Sequence, residues 1–293
     1  MIEIMDNYLQ KAYCMHQTVR IYAAITTNMV RDVQDKFNMW PTSIQALGRT
    51  LTIGAIMSCT YKNDDFINIK VKGDGPVGQI IVEGHDGKVR GCISNPGVFL
   101  ENNDGSVNVT HGVGAGEIEV IKDLHMRQPF SSSCEIVKGD IATDFTYYFA
   151  KSEQIPSSVG LGVAFTNDSK VKAAGGFLIQ VMPGCSDEDL TKLENKLKTL
   201  KPCTKMIEEG YNAEDIIKEI TDGDYELLET RELKYECNCS YERFENGLRT
   251  LGKEQLFDII NTDHKCEITC NFCNKKYTFD EAALTKIANS INK

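Results

Sequence analysis

Cys237-Asn238-Cys239 and Cys270-Asn271-Phe272-Cys273 form a C-x-C … C-x-x-C set with thirty residues between the pairs. Zinc takes four soft or borderline ligands in a tetrahedron, with sulfur at about 2.3 Å, and two cysteines in one tight turn supply two of its corners. The spacing points to a Zn2+ site on Cys237, Cys239, Cys270 and Cys273. A thioredoxin-like C-x-x-C is the weaker alternative, because no strand–helix context surrounds Cys270 and Cys273. The ligands must be thiolates, which are also the form that oxidants attack. A disulfide across one intervening residue closes a tight ring that is comparatively easy to reduce. Zinc retention and oxidation are therefore competing states of one site. Cys266 has no place among four ligands: it is a core residue or an extra thiol able to mispair. His264 is a loop histidine or a replacement ligand.

These five cysteines crowd into the stretch from Cys237 to the end of the chain, whereas Cys14, Cys59, Cys92, Cys134, Cys185 and Cys203 are scattered singly. The scattered six read as small buried hydrophobes. A module as short as 237–293 barely outweighs chain entropy with an apolar core alone, so a metal is a natural reinforcement. Ser240 and Asp280 are placed to cap helices carrying Phe244, Leu248 and Leu251, and Leu284 and Ile287. The C-x-x-C between 267–269 and 276–279 fits a hairpin knuckle.

Upstream, the pattern predicts an α+β fold: a large N-terminal domain of β-sheets packed with helices, a helical linker and a small C-terminal zinc-binding domain. The expected divisions are 1–182, 183–232 and 233–293. Apolar spacing predicts a helix from Asp6 through Val19, Ala23 and Ala24 towards Val30. A second, buried helix follows Pro41, with Gly48, Gly54 and Ala55 leaving room for close neighbours. Strands are expected over 67–71, 79–83 and 88–93, the last two joined at Asp86-Gly87, and over 107–109, 117–121, 159–165 and 171–182. Residues 140–152 read as a helix with Phe145, Tyr148 and Phe149 on one face. Beyond Pro183, Ser186 and Asp189 open a helix with a leucine stripe, and another starts near Asn212. Between 206 and 236, eleven acids face three bases. Such a stretch is either an ordinary solvated helical surface or a conditionally folded linker.

The whole chain has 293 residues and a net charge of −10, the wrong sign for a nucleic-acid binder. No apolar run approaches the roughly 18 residues of a membrane span. The amino terminus carries Glu3 and Asp6 and lacks a basic region before an apolar one, so a cytoplasmic location is expected. Glycines at 73–75 and 112–116 match neither a Walker pattern nor G-x-G-x-x-G and read as turns. A four-thiolate zinc leaves no open position for water and is a poor catalyst. No catalytic residue is expected, and an enzyme or a nucleic-acid protein with a structural zinc are the rival readings.

Several longer stretches resemble the redox-regulated heat-shock holdase family of zinc-containing chaperones. They are ALGR at 46–49, GDGPVGQI at 73–80, VRGCISNP at 89–96 and VIKDL at 120–124. GDIATDFTYYFAKSEQIPSSVGLGV at 139–163, AAGGFLIQVMPG at 173–184, CNCS and CNFC follow in order. The resemblance implies an ATP-independent chaperone that binds unfolding client proteins and is a homodimer when active. It places Cys237, Cys239, Cys270 and Cys273 at the zinc-binding positions, and implies disulfides Cys237–Cys239 and Cys270–Cys273 on oxidation, followed by zinc release and unfolding of the linker. Cys266 departs from the family pattern and is a third thiol that could compete with Cys270 and Cys273.

Overall fold

Tyr8–Cys14 (β1) and Val19–Ile25 (β2) pair as an antiparallel hairpin, where the apolar spacing predicts a helix. The computed structural model describes residues 6–61 and 65–291; residues 1–5, including Glu3, lie outside them. The first helix starts only at Thr27 (α1, Thr27–Phe37). Both faces of β2 are buried: Tyr22 and Ala24 enter one core, Ile21 and Ala23 another. A strand buried on both sides loses its alternation, and periodicity cannot then separate it from a buried helix.

The chain continues with α2 (Pro41–Ser58), β3 (Phe66–Gly73), β4 (Gln79–His85), β5 (Lys88–Ile93), α3 (Val109–Val113), β6 (Gly116–Asp123) and β7 (Phe130–Glu135). Helix α4 (Ala142–Tyr148) runs into a π-helical turn, Phe149–Glu153, and β8 (Ser157–Phe165) and β9 (Val171–Val181) follow. Then come α5 (Asp187–Thr199), α6 (Cys203–Glu208), α7 (Ala213–Thr221), β10 (Glu226–Glu232) and β11 (Lys234–Tyr235). One sheet has the order β10-β1-β2-β9-β8, the other β11-β5-β4-β3-β6-β7. Every pairing is antiparallel except β11 with β5. The mixed fold with sheets and helices is the α+β class expected.

Helix α2 packs against β8 and β9 of the first sheet and β4 and β5 of the second. Pro41 occupies its first turn, where a missing N–H costs nothing. A Cβ on Gly48 would stand 2.7 Å from Val30 Cγ1 and 2.9 Å from Val163 Cγ2, so the bare backbone lets neighbours close in from two sides. The hairpin turn at Asp86-Gly87 has positive φ at both residues, 45° and 76°, as a type I′ turn requires.

Two local expectations are corrected, and one strand is unanticipated. Val107 forms only an isolated bridge with Glu101, and Val109 begins a helix capped by Asn108. Strand β7 is not visible in its sequence, FSSSCE, because serines carry little strand preference; its pairing with β6 makes it a strand. The stretch 183–232 is helical in α5, α6 and α7, but Glu226–Glu232 is an edge strand antiparallel to β1. The backbone of β1 supplies the partner that β10 lacks locally. Helices α6 and α7 bury Met206, Ile216, Ile217 and Ile220 against Ile21, Ala23, Phe177 and Ile179.

By contact the chain divides into two units, Met1–Glu236 and Cys237–Lys293. The second holds α8 (Tyr241–Arg249), α9 (Lys253–Asp263), the hairpin β12 (Lys265–Thr269) and β13 (Lys276–Asp280), and α10 (Glu281–Ser290). Its core consists of Leu248, Leu256, Ile260, Tyr277, Phe279, Leu284, Ile287 and Ala288. Among the described residues no helix is long and apolar enough to cross a membrane.

A candidate four-cysteine metal centre

Cys237 and Cys239 lie just before α8, whose first turn is capped by Ser240 Oγ accepting the Arg243 N–H at 3.1 Å. Arg243 Nη1 also donates to Asn238 Oδ1 at 2.9 Å, tying the residue between the two cysteines to the helix. Cys270 and Cys273 sit in the turn after β12. The Cys270 carbonyl accepts N–H groups from Cys273 at 3.3 Å and Asn274 at 2.8 Å, and the Cys270 N–H donates to the Lys275 carbonyl at 2.9 Å. Asn274 takes the left-handed conformation, φ 59°, that lets so tight a turn re-enter β13. Asp280 caps α10 by accepting the Ala283 N–H at 2.8 Å. The knuckle and both caps are where the residues predict them.

These elements bring the four sulfurs within 4.8 Å of one another. Cys237 Sγ lies 3.8 Å from Cys270 Sγ, and Cys239 Sγ 3.4 Å from Cys273 Sγ. Four sulfurs at about 2.3 Å around a zinc ion have mutual distances of about 3.8 Å. Size and donor set therefore fit a tetrahedral thiophilic metal. Among the described residues this is the one group of three or more His, Cys, Asp or Glu able to hold a metal ion.

The electrostatics are uneven. Burial works against ionisation of Cys239, but hydrogen bonds with Tyr277, Cys273, Cys237 and Cys270 outweigh it and bring the group down to about 7. Burial, reinforced by hydrogen bonding to the other thiols, pushes Cys273 up to about 12. Cys270 is raised as well, chiefly by burial. Cys270 and Cys273 thus resist ionisation until a cation supplies the compensating charge.

Cys266 stands opposite Phe279 in the hairpin and packs on the unit's core, outside the four-cysteine group. His264 is a surface residue, its Nδ1 3.5 Å from Glu281 Oε2. Of the scattered cysteines, Cys14, Cys59, Cys134 and Cys203 are buried. Burial pushes Cys14 and Cys203 up to about 12, and Cys59 and Cys134 up to about 11. Cys92 and Cys185 are half-buried. The glycine-rich stretches bond to each other: the Asp74 N–H donates to Ala115 O, Gly75 N–H to Val113 O, and Ala115 N–H to Asp74 Oδ1. Amides spent this way do not cradle a phosphate.

One participant escapes a reading by cysteine spacing. Tyr277 Oη lies 3.1 Å from Cys239 Sγ and donates to the Cys239 carbonyl at 3.0 Å. Its only sequence signal is an aromatic with a hydroxyl at an inward-facing strand position.

The Hsp33 protein family model matches residues 7–280. The chain belongs to the Hsp33 family. Its similarity to Hsp33 relatives is end to end: it is 43% identical to the 33 kDa chaperonin of Staphylococcus haemolyticus over 98% of this chain and 99% of that one. It is also 43% identical to that of Bacillus subtilis over 95% and 97%. The crystal structure of the Hsp33 homologue of Thermotoga maritima superposes with a TM-score of 0.91 at 29% identity, covering 97% of this chain and 98% of the other. The family is a heat-shock chaperone family, and the C-terminal cysteine cluster fits a zinc-binding, redox-responsive role within it.

Proposed function

We propose that this chain is a redox-regulated, ATP-independent holdase whose four cysteines hold Zn2+ in the resting form. Cys237, Cys239, Cys270 and Cys273 are the ligands; the ion would supply the positive charge that keeps four sulfurs ionised and packed together. The convergence of those four sulfurs at tetrahedral spacing, in a chain of the Hsp33 family, carries this reading.

Oxidation joins Cys237 to Cys239 and Cys270 to Cys273. Each bridge removes two electrons and two thiolate donors, so either one ends four-sulfur binding. The core of eight buried residues in the second unit then has little to hold it. Residues 183–232 act as the linker between the 1–182 chaperone core and the switch at 233–293. Their release uncovers apolar side chains of the first sheet, such as Ile21, Phe177 and Ile179, now buried beneath α6 and α7. Unfolding client proteins bind there, and the active form is a homodimer in the cytoplasm. Neither catalysis, nucleic acid nor membrane enters this scheme.

The test is light scattering from a thermally aggregating client, with the protein either reduced and zinc-loaded or treated with peroxide at elevated temperature. A chromophoric chelator in the same cuvette follows zinc release. Suppression only after zinc release is expected. Equal suppression in both states would mean a constitutive holdase with a merely structural metal, and none in either would sink the chaperone reading.

A further inference from the structure

We propose that Tyr277 is a positioning residue of the redox switch: its hydroxyl donates a hydrogen bond to Cys239 Sγ and slows oxidation of that sulfur. The inference rests on the reading of the four cysteines as zinc-binding thiolates. The Tyr277 hydroxyl has one hydrogen and two acceptors in reach, the Cys239 carbonyl at 3.0 Å and Cys239 Sγ at 3.1 Å. A thiol could donate to Tyr277 Oη, leaving the tyrosine hydrogen for the carbonyl. A thiolate has no hydrogen to give, and only the tyrosine can then donate. A hydrogen bond to an ionised acceptor is roughly twice as strong as a neutral one. With Cys239 serving as a thiolate ligand, the tyrosine hydrogen therefore turns from the carbonyl to the sulfur.

The ring is held for this task. Tyr277 is 6% exposed on β13, and its ring centroid lies 4.9 Å from that of Phe244 on α8. Lys275 Nζ stands 5.2 Å from the Tyr277 centroid, and a cation over a phenol draws electron density from it and makes its O–H a better donor. In the zinc-loaded state the hydroxyl thus joins the hairpin to the C-x-C segment through the sulfur of Cys239.

The chemistry that follows is a brake. Hydrogen peroxide oxidises a thiolate when a sulfur lone pair attacks one peroxide oxygen: an S–O bond forms, the O–O bond breaks, and hydroxide leaves to take up a proton as water. A second thiolate then attacks that sulfur, forming the S–S bond and expelling the sulfenic oxygen as hydroxide. The two sulfurs together lose two electrons and the peroxide gains them. A donor on Cys239 Sγ lowers the energy of the lone pair that must attack. Outer hydrogen bonds of this kind tune metal sites about 10- to 100-fold.

The experiment uses the full zinc-loaded chain without client. Tyr277→Phe keeps the ring and removes the hydroxyl, while Phe244→Leu loosens the same packing and leaves the hydroxyl in place. Zinc capture by a chromophoric chelator after peroxide addition is expected to be about three- to tenfold faster in Tyr277→Phe and near the parent rate in Phe244→Leu. In Co2+-substituted protein, the sulfur-to-metal charge-transfer band should move to lower energy in Tyr277→Phe alone, because a sulfur without its donor holds its electrons less tightly. Equal acceleration in both variants, or an unchanged rate with an unshifted band, overturns the assignment. The expected kinetics in a protein that fails to protect any client would uphold it while rejecting the holdase reading. A chain that takes up no zinc overturns both.

Discussion

Cys237 Sγ stands 3.8 Å from Cys270 Sγ although the two are 33 positions apart along the chain. One belongs to an irregular segment before α8 and the other to the turn of a two-stranded hairpin. A pair of secondary elements this small holds such groups together only weakly without a central bond donor. Replacement of one ligand should therefore be felt throughout the unit. Cys237→Ser is expected to weaken zinc binding by about 100-fold or more, measured by chelator competition. It should also render 206–236 sensitive to limited proteolysis without oxidant. Parent-like protease resistance in that variant would argue against coupling of site and linker. Cys266→Ala, which touches the core and not the site, should bind zinc as the parent does.

Metal removal should act on one unit far more than on the other. Apparent zinc-binding free energies of about 10–16 kcal/mol in small fingers exceed what a core of eight buried residues supplies. Chelation in reducing buffer is expected to abolish amide-exchange protection in β12, β13 and α10 while β3, β4 and β9 keep theirs. Protection that survives in the hairpin would show a core sufficient by itself.

Acid sensitivity has an identifiable contributor in the first unit. Burial opposes ionisation of Asp140, but hydrogen bonds from Lys138 and from the Thr143 N–H and hydroxyl outweigh it and hold the carboxyl below its usual range. A folded-state pKa lower than the unfolded one gives stability that is present above the unfolded value, near 4, and lost as pH falls through the folded one. Asp140→Asn should lower stability at pH 7 and flatten the acid limb of urea-melt stability below the ordinary carboxylate range, near pH 4. An unchanged acid limb would assign the acid loss to other carboxylates.

Close packing around α2 can be tested directly. Val30 and Val163 press on Gly48 from different elements, so neither can retreat without displacing its own neighbours. Gly48→Val is expected to lower stability by about 2 kcal/mol or more by overpacking, read from urea midpoints at constant slope. A gain in stability would mean that the gap between helix and sheet is wider than the backbone spacing implies.

Much of this architecture is legible in one dimension because its determinants are local. The Asp86-Gly87 turn, the Pro41 helix start, the caps at Ser186, Asn212, Ser240 and Asp280, and the C-x-x-C knuckle each depend on residues within a few positions of one another. The four cysteines proposed to hold the metal belong to the same class, since their pairing is written in residue type and pair spacing.

Other features depend on partners remote in sequence. Strand β2 looks helical until both of its faces are seen to be covered, and β7 is a strand because β6 lies beside it. Strand β10 is one because β1, from the opposite end of the first unit, is its neighbour in the sheet. Cys266 acquires its role from Phe279 across the hairpin, and Tyr277 from Cys239, 38 residues upstream. The cysteine cluster, fold class and local turns could be read from residue order alone, because they follow from side-chain type and short-range backbone preference. Strand pairing, and the meeting of one hydroxyl with one sulfur, are settled in three dimensions, because those contacts depend on loop closures and shared burial that no local pattern encodes.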